Sequence, residues 1–236
     1  PRAMIVREGG GRGAAPTPYA DYPNPAASAV TLHPAAGGNA VGGLGVSAPR
    51  RQAPERLIDD VQFGGDVLAA AERSDNRLLY ATPVLADSVH LSGTSTITVR
   101  LASSKPAANL SVWLVMLPFD KTPTGSNGMV GVITRGWADP QNHASLTRGG
   151  NYDSRAHGEP LTRGRFYRVT FDLQPDDQVI PAGKRIGVML LSSDRDFTLW
   201  PMAGTELTID LDGTSIALPV VGGAAAIKKA FCQPGR

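Results

Sequence analysis

Ser95-Thr96-Ile97-Thr98-Val99-Arg100-Leu101 alternates without a break: Ile97, Val99 and Leu101 fall on one side of an extended chain, and Thr96, Thr98 and Arg100 on the other. Successive side chains of a strand point to opposite faces, so this stretch reads as a strand with one buried and one wet face. Phe166-Tyr167-Arg168-Val169-Thr170-Phe171-Asp172-Leu173 repeats the scheme, with Tyr167, Val169, Phe171 and Leu173 inward. Leu110–Leu117 and Ile186–Leu191 are apolar on both faces, as strands covered from both sides are. Those two are expected at the centre of a sheet.

Outward from these, the same texture continues in Leu78–Thr82, Val89–Leu91, Met129–Thr134, Phe197–Trp200, Leu207–Leu211 and Ser215–Val220, each closed by Gly, Pro, Asn or Asp. Asp212-Gly213 tolerates the positive φ angles of a two-residue turn, which predicts a hairpin between the last two strands. Short strands in succession with no helix between them favour a sandwich or jelly roll over any alternating strand–helix fold. The expected class is all-β, a β-sandwich with a loop-rich N-terminal segment and little helix.

Residues 1–76 form a Gly-, Pro- and Ala-rich lead-in with edge strands, for which the apolar patches Ala29–Leu32 and Leu57–Phe63 are the material, and they are expected to belong to the same domain. Gly9-Gly10-Gly11 reads as loop. Asp66 is placed as the N-cap of a short helix over residues 66–73. Residues 77–221 are the sandwich core and 222–236 a C-terminal tail, helix-permissive around Ala224–Phe231 or else unstructured. The connection from Arg135 to Arg165, with Gly149-Gly150-Asn151 and Asp153-Ser154-Arg155, reads as a long surface loop. Loops of that length commonly serve function or a partner.

Composition bounds the rest. The chain has 236 residues, 42% apolar and 19% charged, which suits one folded domain, since all-β domains run undivided to roughly 200–250 residues. With 27 Gly and 19 Pro it is too punctuated for a helical bundle. A net charge of +2 with both signs scattered leaves no electrostatic footprint for nucleic acid. No apolar run approaches the ~20 residues of a membrane helix, so neither nucleic acid nor membrane is an expected partner. Cys232 cannot form an internal disulfide. The opening Pro1-Arg2-Ala3 reads as a piece cut from a longer polypeptide, and the compartment stays open between secreted and cytoplasmic.

Chemistry is sparse. No Gly-x-Ser-x-Gly elbow occurs, and Ser92 and Ser126 stand beside glycines in turn-like contexts. His33, His90, His143 and His157 lack zinc-ligand spacing. His90 alternates with Val89 and Leu91 as a solvent-facing strand residue, while His143 and His157 sit in the long loop, where a partner can reach them. Pro175-Asp176-Asp177 reads as a turn, and Asp194-Arg195-Asp196 as a loop at a strand's end, held by ion pairing or forming an interface rim. Gly9-Gly10-Gly11-Arg12-Gly13 lacks the strand and the Lys-Ser/Thr ending of a phosphate loop. Trp113 is core material; Trp137 and Trp200 are surface candidates. No catalytic residue, cofactor or metal is expected.

Arg77-Leu78-Leu79-Tyr80-Ala81-Thr82-Pro83-Val84-Leu85, Val89-His90-Leu91-Ser92-Gly93, Thr134-Arg135-Gly136-Trp137, Gly158-Glu159-Pro160-Leu161-Thr162-Arg163-Gly164-Arg165-Phe166-Tyr167, Ile180-Pro181-Ala182-Gly183-Lys184-Arg185-Ile186 and Ser192-Ser193-Asp194 stand in one order along the chain. Together they resemble the C-terminal, non-catalytic domain of the Xaa-Pro dipeptidyl-peptidases, related to cocaine esterase and the α-amino acid ester hydrolases. The likeness runs from about Leu57 to Val220.

That resemblance implies a galactose-binding-like jelly roll packed against an α/β-hydrolase domain, which carries the Ser, Asp and His of catalysis upstream of this region. The parent would be a serine hydrolase and this chain its buttress, helping to wall the substrate pocket. Contact with that partner domain is then expected at Arg135, Trp137, His143, His157, Asp194, Arg195 and Trp200. A carbohydrate-binding jelly-roll module, or the accessory domain of a related esterase or acylase, are the alternatives, and a homo-oligomer is compatible with the sequence.

Overall fold

A computed structural model describes residues 1–6, 15–124, 128–152, 155–201 and 203–232. The loop expected at Gly9-Gly10-Gly11, the turn at Ser126 and the loop positions Asp153-Ser154 lie outside the described residues. The elements are β1 (Ala3–Ile5), β2 (Thr17–Tyr19), β3 (Ala27–Ala35), β4 (Gly42–Gly45), β5 (Glu55–Ile58), α1 (Gly65–Ala70), β6 (Leu78–Ala81), β7 (Val89–Gly93), β8 (Thr96–Ser103) and β9 (Leu110–Leu117). There follow β10 (Pro123–Thr124), β11 (Gly128–Met129), β12 (Val132–Ala138), β13 (Tyr167–Asp172), β14 (Asp176–Ile180), β15 (Arg185–Leu191), β16 (Glu206–Val221) and α2 (Gly223–Phe231).

The fold is mostly β, as expected. One large mixed sheet runs β12-β9-β15-β6-β4-β3-β16-β7-β14, with β8 and β13 continuing from β16 and β5 paired to it, and it is nearly closed into a barrel-like shape. Closure is helped where Gln174 N–H donates to Arg135 O at 2.7 Å, tying the segment before β14 to the far edge strand β12. All pairings are antiparallel except β4 with β6. β3 joins the two halves: residues 27–32 pair with β16, and residues 33–35 with β4. It is an interior strand, whereas the lead-in was expected to supply only edges.

Alternation places the core as read. Ile97, Val99 and Leu101 of β8 stand opposite Phe171, Val169 and Tyr167 of β13, all inside. Each such side chain contributes about 1.5–3 kcal/mol on leaving water. In β9, Leu110, Val112, Leu114 and Met116 face this main core, while Trp113, Val115 and Leu117 face a second cluster with Leu79, Ala81, Met189, Leu191 and Val132. α1 covers the second cluster through Leu68 and Ala69. The continuous apolar runs therefore had the meaning expected of them.

Several expectations are corrected. Asp212-Gly213 makes no hairpin: Leu207–Asp210 and Ser215–Ala217 both pair with β8, so the intervening residues are a bulge within one sixteen-residue strand. Neither Asp212 nor Gly213 has a positive φ, which the hairpin turn requires. Gly213 is needed for space instead, because a Cβ there would come within 2.8 Å of the Arg100 side chain. Asp176-Asp177 begins β14 rather than a turn. Phe197–Trp200 is loop, not strand, since Phe197 and Thr198 turn back to hydrogen-bond Asp194 O, both at 2.9 Å. Asp66 lies inside the first turn of α1, whose N-cap is Gly64. The tail forms α2, which packs Ile227 and Ala230 into the main core.

Candidate functional site: a carboxylate-centred aromatic platform

The outward face of β9 and β12 is built by register. Arg135 stands opposite Trp113 and Trp137 opposite Ser111, so the outward positions of the two strands lie side by side. Small Ser111 leaves room beside the Trp137 indole, and its own hydroxyl donates to Ser192 O at 2.8 Å, fixing the end of β15. Asp194, three residues beyond β15, arrives above this face. Its Oδ2 accepts the indole N–H of Trp113 at 2.7 Å and that of Trp137 at 2.9 Å.

Arg135 completes the group. Its guanidinium lies over the Trp113 ring at 4.1 Å and over the Phe197 ring at 4.8 Å, and Phe197 stacks on Trp137 at 5.5 Å between centroids. Burial raises the Asp194 carboxyl above its ordinary value, opposed by the two indole donors and the nearby Arg135 charge. A desolvated carboxylate survives here because two N–H donors and a cation hold it.

The loop after Asp194 is pinned on several sides. Asp194 N–H donates to Thr198 Oγ1 at 3.1 Å, and the Asn109 side-chain amide donates to Leu199 O. Trp200 Nε1 donates to Arg195 O at 3.2 Å, and an Arg195 N–H to Gln62 O at 3.3 Å. Buried Asp59 accepts from the Ser193 amide at 2.8 Å and hydroxyl at 2.9 Å. The loop nevertheless presents large apolar groups to solvent: Leu199 is 92% exposed, Trp200 58% and Phe197 44%. Such an arrangement offers a fixed apolar contact face with a charged underside.

Of the residues singled out from the sequence, Arg135, Trp137, Asp194, Arg195 and Trp200 come together here. His143 and His157 do not join them. His143 packs on the Tyr167 ring at 4.6 Å with Glu159 at 3.8 Å, and His157 is exposed on the long connection. The ion pairing expected within Asp194-Arg195-Asp196 does not anchor the loop; Arg195 reaches Asp196 only at 4.0 Å, while Asp194 is bound to the indoles. Trp113 is 2% exposed, in keeping with a core assignment, yet it is part of the platform through its N–H. The parts of Asp59, Phe197 and Thr198 were missed: Asp59 meets Ser193 from a distant stretch of the chain and Phe197 meets Trp137 and Arg135 across another, while Thr198 bonds Asp194 within a loop that was read as a strand.

His90 is a second correction. It is half-buried, not solvent-facing, with Nε2 3.0 Å from Asp177 Oδ1 and the Tyr19 hydroxyl 3.4 Å from the same nitrogen. The hydroxyl also reaches Asp177 at 3.2 Å. The pairing of β7 with β14 produces this contact.

A family model described as the X-Pro dipeptidyl-peptidase C-terminal non-catalytic domain matches residues 1–231. A "Putative Xaa-Pro dipeptidyl-peptidase" of Rhodopirellula baltica is 48% identical over 227 residues, covering 96% of this chain and 34% of the relative. Another of the same description, from Streptomyces avermitilis, is 32% identical over 251 residues, covering 91% and 36%. The chain thus spans about a third of the length of these relatives. Among solved structures, an aminopeptidase from a marine sediment Thaumarchaeota archaeon superposes with a TM-score of 0.64 at 16% identity over 89% of this chain and 39% of its own. A CocE/NonD family hydrolase from Staphylococcus aureus gives 0.64 at 12% identity over 92% and 41%. These two share the fold.

Proposed function

Since this chain belongs to the family of X-Pro dipeptidyl-peptidase C-terminal non-catalytic domains, we propose that it is the β scaffold that buttresses an α/β-hydrolase domain and helps to wall the substrate pocket of a serine exopeptidase. The observation that carries this reading is the apolar ridge Phe197, Leu199 and Trp200, exposed on a loop that hydrogen bonds already fix. Aromatic and aliphatic groups of that size standing in water mark contact surfaces. Because the loop is ordered beforehand, docking would cost little conformational entropy. Trp200 and Arg195 make the contact in this reading, with Arg135, Trp137 and Asp194 holding them in place; His143 and His157 serve a separate part of the interface on the long connection.

The same reading takes the nearly closed sheet as a galactose-binding-like jelly roll. It assigns residues 1–76 to that domain, supported by the pairing of β3, β4 and β5 into the large sheet. Hydrolysis of Xaa-Pro peptides would belong to the whole protein, not to this chain.

A chimera tests it. Residues 1–236 replace the matching third of the Rhodopirellula baltica relative, and hydrolysis of Ala-Pro-p-nitroanilide is followed. The unaltered chimera should hydrolyse the substrate, and one carrying Leu199→Asp with Trp200→Ala should lose most of that activity. Equal activity in the two overturns the docking role. The chain alone should leave the substrate intact; turnover blocked by a serine-directed inhibitor would overturn the non-catalytic assignment.

A further inference from the structure

A groove of about 660 Å³ lies on the outward face of β3, β8, β13 and β16, walled on one side by Arg148, Gly149, Gly150 and Tyr152. That volume is in the range of small-molecule sites. None of its strands belongs to the aromatic platform, so it stands apart from the proposed docking face.

Register sets its floor in rows across the strands. Thr98 stands between Thr170 and Ser215, and Thr96 between Asp172 and Ala217, which in turn faces Thr31. Neighbouring strands lie about 4.8 Å apart, so side-chain hydroxyls are set out at that spacing. Thr98 and Thr170 share a hydrogen bond at 2.9 Å and Thr96 donates to Asp172 at 2.6 Å, each keeping further lone pairs. The hydroxyls of Thr31 and Ser215 have no hydrogen-bond partner among the described residues. Ala29, Ala217 and Pro219 supply an apolar strip, and the half-buried Tyr152 an aromatic side.

This chemistry selects its ligand. One guanidinium, Arg148, and one carboxylate, Asp172, leave the groove without net charge, which disfavours an anion or a cation. An added peptide strand is excluded, because β8 lies between β13 and β16, and β16 between β8 and β3 over the same residues, so the backbone groups are already paired. We propose that the groove binds a neutral carbohydrate, its hydroxyls on the Thr/Ser rows and its C–H face against the Ala–Pro strip and the Tyr152 ring. Sugars suit such a surface because they carry polar edges and apolar faces together.

Calorimetric titration of the chain with maltotriose, cellotriose and xylotriose, and with Gly-Pro and inorganic phosphate as charged probes, tests this together with backbone amide shift mapping. At least one saccharide should bind with Kd below about 1 mM, moving the amides of Thr31, Thr96, Thr98, Thr170 and Ser215. Tyr152→Ala should weaken that binding at least ~tenfold, and so should Thr31→Val, a change at an exposed position that leaves the fold intact. Binding of no saccharide, shifts confined to other strands, unaltered affinity in Thr31→Val, or preference for the charged probes would each overturn the proposal.

Discussion

The guanidinium of Arg135 lies 4.1 Å above the ring of Trp113, its cross-strand neighbour, and 4.8 Å from the ring of Phe197. A desolvated cation–π contact is worth up to about 2 kcal/mol. Arg135→Met keeps the stem and loses the charge, so it should lower stability by about 1–3 kcal/mol in urea unfolding. It should also raise the Asp194 carboxyl further, since the Arg135 charge pulls that group down.

Asp194 sets a pH dependence of known sign. Burial lifts its carboxyl above the ordinary 3.8 in the folded chain. The folded state therefore holds the proton more tightly than the unfolded one, and the group's contribution to stability is complete below 3.8 and declines as pH rises through the folded value. Asp194→Asn keeps an oxygen for the two indoles and has nothing to titrate. Comparing urea midpoints of wild type and variant from acid to neutral pH, the difference should move in the variant's favour with rising pH. Movement the other way would contradict the burial argument.

Arg77 is fully buried and donates to four backbone carbonyls: Leu68 O at 3.3 Å, Gly38 O at 2.5 Å, Ala40 O at 2.6 Å and Ala71 O at 2.7 Å. It ties the end of α1 to the segment between β3 and β4. Arg77→Met removes all four donors; a buried acceptor left bare costs about 1–3 kcal/mol, but Gly38 O keeps the Leu79 N–H and Ala40 O and Ala71 O are only part-buried, so a loss on the order of 3–5 kcal/mol is expected by thermal or urea unfolding. Arg77→Lys should recover part of it through the retained charge.

Gly65 packs its backbone on the Trp113 indole, where a Cβ would fall 2.2 Å from Cζ2. Gly65→Ala must displace α1 or the ring, and overpacking of this kind costs about 1–3 kcal/mol. Because the same indole holds Asp194, tryptophan fluorescence should change along with the unfolding midpoint.

Leu199→Ser and Trp200→Ser should behave oppositely. Leu199 is almost wholly in solvent, and a surface change of that kind moves stability by less than about 0.5 kcal/mol; Trp200→Ser also gives up the exposed bond to Arg195 O and should cost no more than about 1 kcal/mol. A larger loss would mean the ridge serves the fold rather than a partner.

Period-two alternation was enough to read β8 and β13 from the sequence, down to the inward residues, and continuous apolar runs marked β9 and β15 as strands covered on both sides, because each signal depends only on the strand's own face pattern. β14 was not legible, since Asp176-Asp177 has poor strand propensity and is held there by pairing with β7. The reading of a hairpin at Asp212-Gly213 failed for a related reason: a turn-favouring dipeptide fits a bulge equally well, and the partner β8 decides. Trp137, Asp194 and Trp200 were picked out singly from their positions. The union of Trp113 and Trp137 through one carboxylate oxygen of Asp194 spans 57 to 81 residues of sequence, and no local pattern encodes contacts of that range.

β3 changes partners at residue 33, leaving β16 for β4 without a break in the strand. Neither half of the molecule can come open and leave the other zipped, because the same backbone closes both. Melting should accordingly be one transition, with the paired amides of β3 on both sides of Pro34 exchanging against deuterium only when the entire chain lets go.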